Sequence, residues 1–113
     1  MTDCLFCRIV AGDLPADVVH ETDRTLAFRD IDPKAPTHVL VIPREHHENA
    51  AELSASDPGL MADVLAAAVA VARAEGLENG YRLVANTGPD AGQAVQHLHW
   101  HVLGGRRLAW PPG

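Results

Sequence analysis

The chain has 113 residues, of which 47% are hydrophobic and 21% charged, with a formal net charge of −6 at pH 7. This indicates a single globular domain, 1–113, whose core needs no disulfides. The negative charge argues against broad binding to nucleic acid or to anionic membranes, although it is compatible with a small nucleotide in a pocket. The longest apolar stretch, 64–72, is too short to cross a bilayer. No segment has the pattern of a signal peptide, so a cytoplasmic location is expected.

The first half of the chain predicts a short helix followed by three strands. Residues 4–11 suit a short helix or turn, which glycine and proline end. Two strands are predicted at 18–21 and 25–31, joined by a three-residue turn. The apolar run at 38–42 predicts a buried central strand.

One long helix dominates the second half. Asp57 suits its N-cap, Pro58 its first turn and Gly76 its C-terminal stop. Its apolar face would consist of Leu60, Val64, Ala68, Val71 and Ala72. Further strands are predicted at 81–87 and 97–103. Several strands around one long helix, without βαβ alternation, predict an α+β meander rather than a parallel sheet.

The last strand carries the most informative pattern, because His97, His99 and His101 alternate with apolar residues. Alternate residues of a strand share a face about 6.6 Å apart, so we expect the three imidazoles on one side. Imidazole can transfer protons, attack electrophiles or bind a metal near neutral pH. Two chemistries fit: a nucleophilic histidine with a neighbouring proton donor, or a zinc site with an open position for hydroxide. The spacing alone does not separate them.

Other features are ambiguous on their own. Cys4 and Cys7 suit half of a zinc site, a redox pair or two buried small residues. Asp30 follows a predicted strand, where a carboxylate can cap a turn or accept hydrogen bonds from a sugar. The glycine-rich segment 88–93 could offer N–H groups to a phosphate. The stiff Trp-Pro-Pro-Gly end at 110–113 suits a tail docked on a partner or a pocket.

The segment His-Leu-His-Trp-His-Val-Leu at 97–103 resembles the signature of the histidine triad (HIT) family. Similarity to its Hint branch covers nearly the whole chain, at 26–31, 35–43, 80–82, 103–106 and 110–113. That branch consists of purine nucleoside phosphoramidases, which hydrolyse the P–N bond of nucleoside 5′-phosphoramidates such as AMP-amines and AMP-lysine. The resemblance implies a five-stranded antiparallel meander with one long and one or two short helices. It also implies a homodimer with a ten-stranded sheet, in which each C-terminal tail reaches the other protomer's active site.

The resemblance also assigns roles to individual residues. His99 would attack the α-phosphorus and become nucleotidylated, His101 would help to protonate the leaving amine, and the backbone at His97 would orient His99. Water would then release AMP or GMP, with no catalytic cofactor. The nucleotide site would comprise Leu5, Phe6, Ile9, Phe28, Asp30, Ile31, Asn86, Gly92, Gln93, Val95 and Trp110, with Asp30 on the ribose. Bacterial relatives often carry a structural zinc, whose ligands here would be Cys4, Cys7, His46 and His97.

Two positions depart from the family pattern. Ala94 stands where a serine commonly helps to bind the leaving-group nitrogen, and Ala109 where some relatives have histidine. The expected function is nevertheless that of a nucleoside phosphoramidase. The alternatives are a dinucleoside polyphosphate hydrolase of the same family, a nucleotide-binding regulatory module with little turnover, and a zinc hydrolase. The Trp-Pro-Pro-Gly end argues against the first, the missing serine keeps the second open, and chelators would inactivate the third.

Overall fold

The computed structural model describes residues 3–113, so Met1 and Thr2 of the predicted domain 1–113 lie outside the described residues. In chain order the elements are α1 (Leu5–Val10), β1 (Val18–Glu21), β2 (Thr25–Arg29), β3 (Thr37–Pro43), α2 (Ala50–Ser56), α3 (Pro58–Ala74), β4 (Tyr81–Val84) and β5 (Trp100–Gly104). The strands form one sheet in the order β1-β2-β3-β5-β4, and every neighbouring pair is antiparallel. The predicted α+β meander is confirmed. Among the described residues, no helix is long and apolar enough to cross a membrane.

Both faces of the central strand β3 are buried, which explains its unbroken apolar run. Val39 and Val41 belong to the core that α3 covers. Leu40 and Ile42 belong to a second, smaller core on the other face, which includes Phe6 of α1. Because side chains alternate along a strand, His38 shares the face of Leu40. We call this the α1 face of the sheet.

The long helix α3 begins and ends at the predicted signals. The side chain of Asp57 accepts a hydrogen bond from the N–H of Leu60 at 3.0 Å, and Pro58 occupies the first turn. The helix ends just before Gly76, which has a φ of +74°. All the residues predicted for its apolar face are buried: Leu60, Val64, Ala68, Val71 and Ala72. These signals are local, which is why the sequence placed this helix correctly.

The short helix α2 is not predicted by the sequence pattern. Asn49 caps it by accepting a hydrogen bond from the N–H of Glu52 at 2.9 Å. Leu53 is its one buried residue. A helix this short does not complete the periodic pattern from which helices are predicted.

The histidine strand begins later than predicted, because only Trp100–Gly104 forms the ladder with its neighbours. As expected, Leu98 and Val102 are buried in the core beneath α3, and Trp100 packs against that core. His97 and His99 lie in the segment that leads into the strand.

Gly105, which follows β5, has a φ of +91°, and an added Cβ would lie 2.9 Å from Cβ of Pro36. We therefore expect Gly105→Ala to lower the free energy of unfolding by about 2 kcal/mol. The control is Gly59→Ala in α3, where the nearest atom would lie at 3.5 Å. That change should leave stability unchanged or raise it by up to about 1 kcal/mol. Urea unfolding measures both, and equal midpoints for the two variants would contradict the expectation.

Candidate active site

A cavity of about 280 Å³ opens on the α1 face of the sheet. Its walls are apolar side chains from α1 and the strands, and its polar end holds two histidines and a carboxylate. The lining residues are Leu5, Phe6, Ile9, Pro15, Ala16, Phe28, Arg29, Asp30, Ile31, Leu40, Ala94, Val95, His99 and His101. An apolar pocket with a few convergent polar groups is the usual form of a small-molecule site.

Strand register brings the polar residues of this site together. Phe28 pairs with Leu40 across β2 and β3, and Leu40 pairs with His101 across β3 and β5. Asp30 and His38 lie two residues from members of that row, so period-two alternation places them on the same face. Residues far apart in the chain thus meet at one end of the cavity.

His99 is held in the tautomer that suits a nucleophile. Its Nδ1 lies 2.8 Å from the main-chain oxygen of His97. A carbonyl oxygen only accepts hydrogen bonds, so Nδ1 carries the proton. The lone pair of Nε2 is then free to attack an electrophile. The ring is 8% exposed, and Phe6 packs edge-on against it with centroids 5.1 Å apart.

His101 is held in the opposite tautomer by a chain of hydrogen bonds. The N–H of Lys34 donates to Nδ1 of His38 at 3.0 Å, so the proton of His38 lies on Nε2. That Nε2 lies 2.8 Å from Nδ1 of His101 and donates to it. The proton of His101 therefore lies on Nε2, an atom that is buried and has no hydrogen-bond partner in the described structure. A ligand atom in the cavity would satisfy it.

Burial keeps this pair of histidines neutral. The pKa of His101 is lowered to about 4, chiefly by burial and also by the neighbouring His99 and His38, which together outweigh the opposite effect of Asp30. Burial also lowers the pKa of His38. At neutral pH His101 is therefore a neutral N–H donor, and its ring lies beside that of His99, with centroids 5.0 Å apart.

His38 is a site residue that the sequence pattern does not single out, since the pattern predicts it only as the start of an apolar strand. It is 5% exposed and shares the parity of Leu40 and Ile42. A polar residue on the buried face of a central strand needs hydrogen-bond partners, and that requirement was the available signal.

Asp30 caps a turn and also lines the cavity. Its Oδ1 accepts a hydrogen bond from the N–H of Asp32 at 2.8 Å, which caps the turn after β2. Its Oδ2 lies 3.4 Å from Nε2 of His38, and the residue lines the cavity. The same carboxylate therefore fixes the turn and contributes to the wall of the cavity.

Ligand atoms of Asp30, His38 and His101 all lie within 4.8 Å of one another, as in a metal site. The two imidazole nitrogens that face each other are only 2.8 Å apart. Two imidazole nitrogens on one tetrahedral zinc, with bonds of about 2.0–2.1 Å, would be about 3.3 Å apart. The spacing fits a hydrogen bond better than shared coordination.

A second group, formed by Cys4, Cys7, His46 and His97, has the spacing of a tetrahedral zinc site; we call it the cysteine–histidine cluster. Nδ1 of His97 lies 3.4 Å from Sγ of Cys4 and 3.5 Å from Sγ of Cys7. Nδ1 of His46 lies 3.3 Å from Sγ of Cys7. Sulfur and nitrogen ligands of one tetrahedral zinc are about 3.5 Å apart, so these residues fit the ion.

The ring of His97 is oriented for this cluster. Its Nε2 donates a hydrogen bond to the main-chain oxygen of Pro43 at 2.8 Å, which leaves Nδ1 bare toward the sulfurs. Burial lowers the pKa of His97 to about 4, so the ring is neutral, as a metal ligand must be. The expectation that the three imidazoles share one side is met, since Phe6 of α1 packs edge-on against both His97 and His99. His97 nevertheless faces the cysteines and does not line the cavity.

Four predicted nucleotide-site residues do not line the cavity: Asn86, Gly92, Gln93 and Trp110. The side-chain amide of Gln93 braces its own loop, donating to the main-chain oxygens of Glu48 and Val95 and accepting from the N–H of Gly88. Trp110 is 78% exposed, and the guanidinium of Arg82 lies 5.7 Å from its ring. The tail thus lies away from the cavity of its own chain.

Comparison with known proteins identifies the family to which this chain is similar. The family model for the HIT domain matches residues 11–108. The crystal structure of a HIT family hydrolase from Legionella pneumophila is similar with a TM-score of 0.94 and 51% identity, covering 98% of this chain and 100% of that one. An uncharacterized HIT-like protein of Synechococcus elongatus is 51% identical, with 98% of this chain and 97% of its own length covered. A 14 kDa zinc-binding protein of Zea mays is 44% identical, with 96% and 87% covered.

We expect the purified chain to retain about one zinc ion after dialysis, because four ligand atoms lie within 4.8 Å of one another and three of their sulfur–nitrogen distances, 3.3, 3.4 and 3.5 Å, suit tetrahedral zinc. Cys7→Ser and His46→Asn should each reduce the zinc content to near zero. His20→Ala removes a histidine of β1 outside the cluster and should leave it unchanged. Elemental analysis measures the metal, and zinc retained by both ligand variants would refute the assignment.

Acid should destabilise the fold through His101. Its folded-state pKa of about 4 lies below its ordinary value of 6.5, so between these values only the unfolded chain binds the proton. The free energy of unfolding therefore falls as the pH falls through this range. Wild type should lose about 2 kcal/mol more than His101→Asn between pH ~6.5 and ~4.5. Urea titrations in chelator test this, and equal losses would contradict it.

Proposed function

The chain belongs to the HIT domain family, and on this premise we propose that it hydrolyses the P–N bond of purine nucleoside 5′-phosphoramidates through a nucleotidyl-histidine. The observation that carries the proposal is the pair of opposite tautomers, a bare Nε2 on His99 beside an unpartnered Nε2–H on His101. A nucleophile next to a proton donor is what displacement of an amine requires. The Legionella pneumophila relative is itself described as a HIT family hydrolase.

In the first step, the lone pair of His99 Nε2 forms a bond to the α-phosphorus. The P–N bond breaks, and its electron pair stays on the leaving nitrogen. His101 passes its Nε2 proton to that nitrogen while a proton from solvent replaces it in the same step, so no imidazolate forms, and the group departs as a neutral amine. In the second step, water attacks phosphorus, the bond to His99 breaks, and water's proton returns to solvent. The products are a nucleoside 5′-monophosphate and the amine.

The cavity suits one nucleoside. Its volume of about 280 Å³ lies near the lower end for ligand pockets, about 300–1,000 Å³. Phe6, Ile9 and Phe28 provide apolar surface for a base, and Asp30 provides a carboxylate for ribose hydroxyls. Arg29 also lines the cavity, but its guanidinium is paired with Glu75 at 2.8 and 3.0 Å. Recognition of the phosphate therefore rests on the histidines.

A zinc ion held by Cys4, Cys7, His46 and His97 would be structural, because four protein ligands leave no position for water or substrate. The catalytic histidines of the proposal take their orientation from atoms that would not coordinate the zinc. His99 is held by the main-chain oxygen of His97, and His101 by His38. The proposal therefore includes no catalytic metal.

A second candidate, a nucleotide-binding module with little turnover, is favoured by one observation. Ala94 lines the cavity and brings no hydroxyl to the place where the family commonly has a serine.

The proposal also retains a homodimer, in which the exposed tail with Trp110 would reach the partner's site.

The test uses a fluorogenic adenosine 5′-phosphoramidate at saturating concentration. Wild type should turn it over equally with and without chelator, and His99→Ala should lose at least about a thousandfold in kcat because it removes the nucleophile. His20→Ala controls for the loss of a histidine outside the site. AMP binding without turnover would favour the binding module, and turnover abolished by chelator would favour a zinc hydrolase.

A further inference from the structure

The helix α1 forms one wall of the candidate nucleotide cavity. Leu5, Phe6 and Ile9 line the cavity from this helix, and Phe28 and Leu40 of the sheet lie among the other lining residues. Phe6 also packs edge-on against Phe28, with ring centroids 5.5 Å apart. Without α1, the cavity would be an open face of the sheet. Nucleotide affinity therefore depends on keeping this helix docked.

The polar attachments of α1 converge on the cysteine–histidine cluster. Within residues 3–113, the hydrogen bonds that join segment 4–14 to the rest of the chain end on the sulfurs of Cys4 and Cys7. The remaining attachment is apolar, and Leu5 is 47% exposed. A six-residue helix has little stability of its own, so its docking rests on these contacts.

The cluster ties α1 to two other parts of the chain. His46 lies in the loop after β3, and His97 lies just before β5. Sulfur–imidazole hydrogen bonds are weak, whereas zinc coordination would join the same atoms by four strong bonds. From this arrangement, we infer that the cluster is a metal-dependent clasp whose occupancy sets the nucleotide affinity of the cavity. The inference concerns the regulation of the same cavity and rests on the proposed function.

The clasp acts on the wall, and its link to the reacting groups is the main chain of His97, which the hydrogen bond from its Nε2 to the main-chain oxygen of Pro43 holds without the metal. His99 is fixed by a main-chain oxygen and His101 by His38, and neither bond involves a cysteine. Removal of the metal should therefore weaken binding while the tautomers of both histidines persist. The expected signature is a higher Kd for AMP together with an unchanged kcat at saturating phosphoramidate.

The experiment compares the full chain in zinc-loaded, chelator-stripped and zinc-restored forms. Calorimetry with AMP measures Kd, and hydrogen–deuterium exchange measures the protection of the amides in α1 and α3. Stripping should raise Kd at least tenfold and expose the amides of 5–11, with little change in 60–72. Restored zinc should reverse both effects. Equal Kd values for the loaded and stripped forms would overturn the clasp.

Two variants sharpen the comparison. Cys7→Ser should have the stripped Kd whether or not zinc is added, and His20→Ala should keep the full response to zinc. If Cys7→Ser does not fold, the three forms of wild type still decide the outcome. Increased exchange throughout α3 would show that the metal stabilises the whole fold and would refute a local clasp.

The outcomes also separate this inference from the proposed activity. Zinc-dependent AMP binding without phosphoramidate turnover would overturn the activity and leave the clasp standing. Turnover with zinc-independent AMP binding would overturn the clasp alone. A loaded protein that does not bind AMP would overturn both.

Discussion

The hydrogen bond between Nδ1 of His99 and the main-chain oxygen of His97 is the interaction on which the rest of the site depends. Because a carbonyl oxygen only accepts hydrogen bonds, this bond fixes the proton of His99 on Nδ1 and leaves Nε2 with the lone pair that a nucleophile needs. The ring of His97 faces Cys4 and Cys7 instead of the cavity. One residue therefore serves the cavity through its main chain and the cysteine–histidine cluster through its side chain.

The second constraint is that the central strand of the sheet is buried on both sides. Any polar side chain on the α1 face must find its partners there, because an unpaired buried group costs about 1–3 kcal/mol. Asp30, His38 and His101 meet this demand mainly through one another and the main chain of 32–34. The network ends at Nε2 of His101, a buried atom with no partner in the described residues, on a residue that lines the cavity. A ligand atom there would complete it.

Local patterns in the sequence were sufficient for much of the fold. The caps and apolar face of α3, the presence of five strands, and the opposite parity of His99 and Val102 could all be predicted from neighbouring residues. The bounds of three strands could not: β2 and β4 end before the predicted 31 and 87, and β5 begins after the predicted 97. The link between His38 and His101 joins residues 63 positions apart and depends on the register of β3 against β5. No local pattern contains that register, so the second tautomer could not be predicted. The bracing role of Gln93 was missed for the same reason, since one of its partners is the main-chain oxygen of Glu48.

The two histidine clusters contain similar residue types, and hydrogen bonding decides what each can do. In the cysteine–histidine cluster, the main-chain oxygen of Pro43 accepts a hydrogen bond from Nε2 of His97. The bare Nδ1 of His97 therefore faces two sulfurs, at 3.4 and 3.5 Å. In the cavity, His38 donates a hydrogen bond to Nδ1 of His101, so the proton of His101 lies on Nε2 and is available to a ligand. The first arrangement suits a metal, which needs a lone pair, and the second suits a leaving group, which needs a proton. The chemistry of each imidazole thus follows from the group that holds its other nitrogen.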